Sequence, residues 1–349
     1  MEESADAIKN SDDSGGYIGG VIEDSINILF EIAEEETDSK MRQALFAWSL
    51  CEAQKKKYSD FGWDDTLLDL ASCLIDNEKQ EQELLDLLDK LENSLEEKYT
   101  DYTREKYAMI KLNLLKQRGN KEGVQQFLEA NIHFTSFRKE LIEQAIREKD
   151  YAAAKSLAYN GVDYDTKRHY VGIVNDWKKY LLKIAQIEEE TETVRKLSLE
   201  LFSRHNPEIK YYRIWKNTFR GKEKDEQIAK LIDDYRKKNA INILTSILIE
   251  EKRYKDLLEV VRKSPNIYTI EKYEKYLKSQ FSEELVKLYA QGIISFLERK
   301  TGRKYYLEAC RILRKMKKLG GEKTVERLVA ALKEHYKRRP ALIDELNSL

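Results

Sequence analysis

Paired acids and single histidines are the residues of this chain whose chemistry would suit catalysis. The acid pairs are Asp64-Asp65 and Asp344-Glu345, and their positions are typical of helix caps and solvated helix faces. The four histidines stand singly, without the clustered ligands or the Glu-x-x-His spacing that helical metal sites use. The sequence also lacks a phosphate-binding glycine loop and a His-Glu-x-x-His motif. We therefore predict no catalytic site, no metal site and no cofactor.

Cations cluster near the C-terminal end of the chain, where Tyr305, Tyr306 and Tyr336 are interleaved with them. Such an arrangement allows rings to stack on bases while cations neutralise phosphates. The alternative is a charged end of a helical array, where the helix dipole favours Lys and Arg near helix C-termini. The sequence leaves both interpretations open. The candidate basic surface comprises Arg311, Arg314, Lys315, Lys317, Lys318, Lys337, Arg338 and Arg339.

The elements that position these residues are predicted to be helices. The 349 residues include only 14 Gly and 3 Pro, so the chain has too few turn residues for a strand-rich fold. Lys, Glu and Leu favour helices, and the sequence has no alternating Val/Ile/Thr runs. Asp38 or Ser39 is predicted to cap one helix, and Asp64 or Asp65 another. Gly119-Asn120 is typical of a left-handed helix end.

The first long helix is expected over 17–35, and it has apolar residues at many positions. Those predicted to face inward are Val21, Ile22, Ile26, Leu29, Phe30 and Ile32.

A short phrase recurs at the junctions of the predicted helices. In its central copy one helix ends near Glu250, a polar turn follows, and an aromatic residue opens the next helix. The ring is expected to pack over the first helix, and a small or aliphatic residue three positions later lets the helices approach. Asn160-Gly161 is predicted to end the second helix of the first copy. The packing positions of the three copies are Tyr151, Ala154 and Leu157; Tyr254, Leu257 and Val260; and Tyr306, Ala309 and Ile312.

Units of this kind cannot bury their apolar faces alone, so they stack. We predict an all-α protein that forms an irregular α-solenoid of stacked helix-turn-helix repeats, a superhelix like those of tetratricopeptide or armadillo proteins. Its segments are a flexible acidic tail (1–16), an acidic helical region (17–132) and a helical repeat array with a basic C-terminal end (133–349).

Charge is distributed unevenly along the chain. Residues 1–100 contain 26 Asp/Glu and 9 Lys/Arg, a net charge of −17, whereas residues 101–349 have a net charge of +16. The two parts can attract each other or attract different partners. The alternative is that both sets of charges lie on solvated helix faces.

Cys51, Cys73 and Cys310 are too few and too widely spaced for a disulfide framework. Each lies in an apolar helical context, so we expect three buried small hydrophobic residues. No apolar run approaches the ~18 residues of a membrane span. The N-terminus lacks the basic and apolar regions of a signal peptide, so we expect a cytoplasmic protein with no membrane partner.

Four phrases occur in a fixed order: DDSGGYIG at 12–19, WKKYLLKIA at 177–185, EEKRYKDLL at 250–258 and YKRRPALIDEL at 336–346. Together they resemble the helical region that follows the zinc finger in prokaryotic SWIM zinc-finger proteins. The finger itself, a Cys-x-Cys pair followed by Cys-x-His, is absent from this sequence. We expect it on a missing N-terminal portion or on a separate chain, so no zinc function carries over to these residues.

The resemblance implies a helical repeat module attached to a finger of a kind that binds nucleic acid or protein. We therefore predict a non-catalytic scaffold for a protein partner, whose binding would use the acidic N-terminal third against a basic partner. The alternative is a nucleic-acid-binding accessory module that uses the basic C-terminal half. The sequence leaves the identity of the partner and the oligomeric state open.

Overall fold

A computed structural model of the chain describes residues 7–8, 10–35, 38–59, 62–95, 100–204 and 206–349. Over these residues the chain forms twenty helices with defined bounds and no strand, which confirms the all-α prediction. The chain divides into two compact units, residues 1–180 and 181–349.

The first unit begins with a small bundle built around one central helix. Its helices are α1 (Tyr17–Glu35), α2 (Ser39–Ala53), α3 (Lys56–Ser59), α4 (Trp63–Cys73), α5 (Glu78–Asn93) and α6 (Thr100–Gln117). Helix α4 packs against all five others. Its Leu67, Leu68 and Leu70 are fully buried, as expected of a helix that is covered on every side.

The bundle helices begin at side-chain caps that the sequence partly predicts. Asp13 lies in the segment predicted as a flexible tail, and its carboxylate accepts hydrogen bonds from the N–H groups of Ile18 and Gly19 in the first turn of α1. Residues 1–6 and 9 of that segment lie outside the described residues. Asp38 caps α2 by accepting from the N–H of Lys40, which confirms the predicted cap.

After the bundle, consecutive helices pack in pairs. In the first unit these are α7 (Lys121–Ala130), α8 (Thr135–Arg147) and α9 (Tyr151–Lys167), followed by α10 (Val171–Ile187), within which the division between the units falls. Helix α6 packs on α7, α7 on α8, and α8 on α9. The predicted segment boundary at 132/133 lies in the turn between α7 and α8.

The second unit continues with ten further helices. Neighbours pack on each other along most of its length, and the last helix returns to α18. The helices are α11 (Thr191–Phe202), α12 (Ile209–Lys216), α13 (Gly221–Lys237), α14 (Ile241–Glu250), α15 (Tyr254–Lys263), α16 (Ile267–Leu277), α17 (Ser282–Arg299), α18 (Arg303–Lys318), α19 (Glu322–His335) and α20 (Pro340–Asn347).

Seven turns between consecutive helices share one hydrogen-bonding pattern. Each contains one residue with positive φ, and the N–H of the next residue donates to the carbonyl five residues back. That next residue directly precedes the following helix, so one short turn ends one helix and begins another. The positive-φ residues are Gly119, Lys149, His169, Glu189, Asn239, Lys252 and Gly320. The left-handed helix end predicted at Gly119-Asn120 is thereby confirmed.

The residues predicted to pack the repeats differ in burial. Tyr151 and Tyr254 are the first residues of α9 and α15, as the phrase predicts, whereas Tyr306 lies one turn inside α18. The buried members of the set are Ala154, Leu257, Tyr306, Ala309 and Ile312. The half-buried members are Tyr151, Leu157, Tyr254 and Val260.

The predicted helix end at Asn160-Gly161 is wrong, because α9 continues to Lys167. Gly161 is buried where α9 meets its neighbours. A Cβ atom on it would lie 2.9 Å from Cδ of Arg138 and 2.9 Å from Nε1 of Trp177. The glycine therefore makes room for close helix packing and does not act as a helix stop.

The prediction of three buried cysteines holds for one of them. Cys310 is buried in α18, whereas Cys51 and Cys73 are exposed. Both exposed cysteines lie on bundle helices whose apolar neighbours in sequence face other directions. An apolar sequence context therefore did not determine the direction of these two side chains.

Candidate functional site

The predicted basic surface is centred on α18, and two of its cations are already paired within the fold. Arg311 donates hydrogen bonds of 2.8 and 2.6 Å to Glu271 and also contacts Glu308. Lys315 lies 2.8 Å from Glu271 and 3.1 Å from Glu274. Hydrogen bonds from Arg311 hold the pKa of Glu271 below its ordinary value. A phosphate would have to displace these charge-assisted bonds to bind either cation.

Three more cations of the predicted surface have partners. Arg339 donates to the carbonyl of Leu297 at the end of α17 (2.8 Å), and Lys317 donates to a carbonyl at the chain's C-terminus (3.0 Å). Lys337 forms an exposed ion pair with Glu334. In the described part of the chain, the members of the surface with no such partner are Arg314, Lys318 and Arg338.

The tyrosines interleaved with these cations are not placed to stack on bases. Tyr306 and Tyr336 are 5% and 7% exposed, so their rings belong to the core. Tyr305 is half-buried with its ring 6.0 Å from that of Phe296 in an edge-on contact. Most cations of this surface are thus paired within the fold, and its tyrosine rings are covered. A nucleic-acid interface at this surface would need both to be available.

Three of the four members of the acid pairs singled out in the sequence are buried. Asp64 and Asp65 are 8% exposed and follow the N-cap Gly62, so the predictions that one of them caps α4 and that the pair is solvated are wrong. Burial raises the pKa of both, and with the charge of Asp64 it raises the pKa of Asp65 to about 6. Glu345 is buried and lies 2.7 Å from Arg303.

The histidines occupy scattered positions. The ring of His133 is 4.0 Å from that of Phe134. His169 is exposed in the turn between α9 and α10, and His335 is exposed at the end of α19. His205 lies outside the described residues. Among the residues that the structure describes, no group of three or more His, Cys, Asp or Glu is placed to hold a metal ion.

An apolar groove lies between α1, α2 and the end of α4, and we call it the N-terminal groove. It encloses a cavity of about 290 Å³ lined by Leu29, Ile32, Met41, Arg42, Ala44, Leu45, Trp48 and Leu74. Ile32 and Met41 are 42% and 57% exposed at its edge. The outer face of α1 continues the apolar surface with Tyr17, Val21 and Ile28, all exposed.

The prediction that Val21 and Ile32 face inward is therefore wrong. Helix α1 buries Ile22, Ile26 and Ala33 on one face and leaves a second apolar stripe uncovered. The signal was present in the sequence, because α1 has more apolar positions than one buried helix face can hold.

The flanks of the N-terminal groove are acidic. Helix α1 has no Lys or Arg, and its five carboxylates are all exposed. Over the described residues none of them forms an ion pair. They are Glu23, Asp24, Glu31, Glu34 and Glu35.

Among the described residues Arg42 is the one cation that lines the N-terminal groove, and all three nitrogens of its guanidinium donate hydrogen bonds. It lies 3.1 Å from Asp76 and donates to the carbonyls of Ala33 and Cys73, at the ends of α1 and α4. Arg42 thus fixes the walls of the groove and leaves it without a free positive charge.

A scan against protein-family models finds no matching family, and a search of curated proteins finds no match. None of the helices in the described ranges is long and apolar enough to cross a membrane.

Proposed function

We propose that this chain is a non-catalytic α-solenoid scaffold that holds a protein partner in the N-terminal groove. The seven shared turns and the pairwise packing of consecutive helices support the repeat architecture. The open groove is the observation that supports protein binding. Exposed contiguous apolar surface on a folded chain is typical of interaction sites.

The partner is an amphipathic helix with a basic polar face. The groove between two helices suits the mode in which a helix lays its apolar face into an apolar groove. The exposed stripe on α1 and the cavity beside it would bury the apolar side chains of such a helix. The unpaired carboxylates of α1 then face the Lys and Arg residues on its flanks, which supports specificity and rapid association.

The test uses an 18-residue fluorescein-labelled peptide with Leu along one helical face and Lys elsewhere, titrated against the full chain by fluorescence anisotropy. Ile32→Ser is expected to weaken binding about tenfold or more, because burying such a side chain is worth roughly 1.5–3 kcal/mol and 1.4 kcal/mol is a factor of ten. Trp48 lines the groove, so its fluorescence should change on binding.

Ile294→Ser is the matched control, because Ile294 is 41% exposed on α17 in the other unit. It should bind the peptide like the wild type. A scrambled peptide of the same composition and a peptide with Glu in place of Lys should bind weakly. Equal affinities of the Ile32→Ser and Ile294→Ser variants, or preference for the Glu peptide, would contradict the proposal.

The resemblance to SWIM-associated helical regions supports a narrower form of the proposal, in which the chain is the helical module that accompanies a SWIM finger. The nucleic-acid alternative uses the basic C-terminal half, and the cations of its predicted surface that have no internal partner among the described residues are Arg314, Lys318 and Arg338. If these three cations alone meet phosphates, the logarithm of the binding constant should fall by no more than about 3 per decade of salt. Titration of single-stranded and duplex oligonucleotides at two salt concentrations measures this slope, and a much steeper one would favour the alternative.

A further inference from the structure

A second groove lies between α7, α8 and α9 in the first unit, and we call it the acidic groove. Its cavity of about 340 Å³ is lined by side chains of these helices and of the turns that join them. The apolar lining residues are Ile132, Leu141, Ala145, Ala153 and Leu157. The polar lining residues are Gln125, Glu129, Gln144, Glu148, Asp150 and Ser156.

The charges of the acidic groove are all of one sign. Three of its eleven lining residues are carboxylates, and none is Lys or Arg. Within the described residues, Glu129, Glu148 and Asp150 form no ion pair with a cation. Glu129 accepts a hydrogen bond from Gln125 (2.6 Å) and Glu148 accepts one from Gln144 (3.2 Å), so carboxamides orient these two carboxylates without neutralising them.

The walls of the groove are held by hydrogen bonds within and between their helices. Asp150 caps α9 by accepting from the N–H of Ala153 at 2.9 Å. Arg138 of α8 is 5% exposed and donates to the carbonyl of Leu157 at 3.2 Å, which holds α8 and α9 together. A site whose walls are fixed in advance binds with a smaller ordering cost.

We propose that the acidic groove binds an extended basic peptide segment of a partner protein. The side chains of an extended segment alternate in direction. The apolar side chains of the peptide would then contact the apolar lining of the groove, while its Lys or Arg side chains pair with Glu129 and Glu148. Neither α7 nor α8 has an exposed large apolar side chain that could extend this cavity, whereas the stripe on α1 extends the N-terminal groove. The acidic groove therefore admits a few side chains and not the whole face of a helix.

This inference is independent of the N-terminal groove, since the two grooves share no lining residue. The probe is a fluorescein-labelled nonapeptide of alternating Lys and Val, compared with a Glu/Val counterpart. We expect the full chain to bind the Lys/Val peptide at low salt and to bind it more weakly as salt increases. The Glu/Val peptide should not bind.

The double variant Glu129→Gln with Glu148→Gln keeps the shape of the groove and removes two charges. It should weaken binding of the Lys/Val peptide about tenfold, the effect of losing two charge-assisted bonds. The matched control is Asp225→Asn with Glu226→Gln, which removes two exposed, unpaired charges on α13 and should leave the affinity unchanged. Ile32→Ser, in the N-terminal groove, should also leave it unchanged.

Ala153→Leu fills the groove without changing charge and should also weaken binding of the Lys/Val peptide, with helicity by circular dichroism showing that the fold is kept. Equal weakening by the Glu129/Glu148 and Asp225/Glu226 double variants would mean non-specific attraction and would overturn the proposal. Absence of binding at low salt would overturn it as well.

Discussion

The N-terminal groove and the predicted basic surface differ in what the fold leaves available to a partner. The groove keeps apolar side chains exposed, and the five carboxylates of α1 beside it have no ion-pair partner within the described residues. The basic surface has more charge in sequence, yet Arg311 and Lys315 are bound to acids of the same unit. The comparison shows that local charge content does not measure the charge that a partner can meet.

The cause lies in which helices pack together. Helix α18 lies in a part of the unit where Glu271 and Glu274 of α16 reach its cations. Among the described residues no cation pairs with the carboxylates of α1, and Arg42, which lines the groove, is already bound to Asp76 and two carbonyls. On α18, acids some forty residues away in the sequence neutralise Arg311 and Lys315. On α1, no described residue neutralises the carboxylates.

The largest expected effect concerns Asp65, a buried carboxylate of α4, which contrasts with the exposed carboxylates of α1. Its folded pKa of about 6 lies above its ordinary 3.8, so its ionised form costs the folded state about 3 kcal/mol at neutral pH. This cost is fully present above pH 6 and disappears as the pH falls towards 4. We expect Asp65→Asn to raise the free energy of unfolding by about 2–3 kcal/mol at pH 7.5 and by much less at pH 5.

Urea unfolding at several pH values measures this difference, with the exposed Asp344→Asn as a control that should change stability little. A stabilisation by Asp65→Asn that is the same at pH 5 and pH 7.5 would show that ionisation is not its cause. A destabilised variant would show that the carboxylate makes a needed bond at the start of α4.

The next effect concerns Glu271, which neutralises the centre of the basic surface. Glu271→Gln removes the charge that Arg311 and Lys315 share, and hydrogen bonds to charged groups are worth roughly 1.5–3 kcal/mol. We expect a loss of about 2 kcal/mol in the free energy of unfolding. We also expect tighter, more salt-sensitive oligonucleotide binding, because Arg311 and Lys315 would then each keep one acid partner, Glu308 and Glu274, and would be less neutralised.

Glu334→Gln is the control for this prediction, since its pair with Lys337 is exposed on both sides and such pairs contribute roughly 0–1 kcal/mol. Thermal unfolding and oligonucleotide titration are measured on both variants. If the two variants lose equal stability and gain equal oligonucleotide affinity, the cations of α18 are not neutralised in the way that the contacts indicate.

The smallest effect is expected at the unpaired cations. Lys318→Ala and Arg338→Ala remove exposed side chains without an internal partner, so each should change the free energy of unfolding by less than about 0.5 kcal/mol. Urea unfolding of the two variants tests whether these cations contribute less to stability than the paired cations of the surface. A loss of unfolding free energy as large as that expected for Glu271→Gln would contradict the division of this surface into paired and unpaired cations.

Local features of this fold were predictable from the sequence. The scarcity of Gly and Pro gave the all-helical class, and Asp38 and Gly119 marked helix ends through bonds to residues close in sequence. The exposed stripe of α1 was also detectable, because its apolar residues exceed one helix face. These signals need no knowledge of how distant helices meet.

Features that depend on distant helices were not predictable. Gly161 looks like a helix stop, and only the proximity of Arg138 and Trp177 explains it as a packing position. The left-handed conformation of Lys149 and Glu189 is equally hard to predict from the sequence. A non-glycine residue in that conformation costs roughly 1–2 kcal/mol, which the hydrogen bonds and packing of the turn must offset. The same limit concealed the pairing of Arg311 with Glu271.

The shared turn design has a consequence for how the length of this chain can change. The residue after the left-handed position bonds to the end of one helix and directly precedes the next helix. In a turn such as the one at Glu189, every residue is therefore needed to join the two helices. Inserting a single residue there would disrupt the hydrogen bond from the N–H of Glu190 to the carbonyl of Ala185 and change the direction in which the following helix leaves the turn. Relatives of this chain should therefore gain or lose whole helical hairpins, and should vary by single residues only in exposed connecting segments, such as 300–302 before α18.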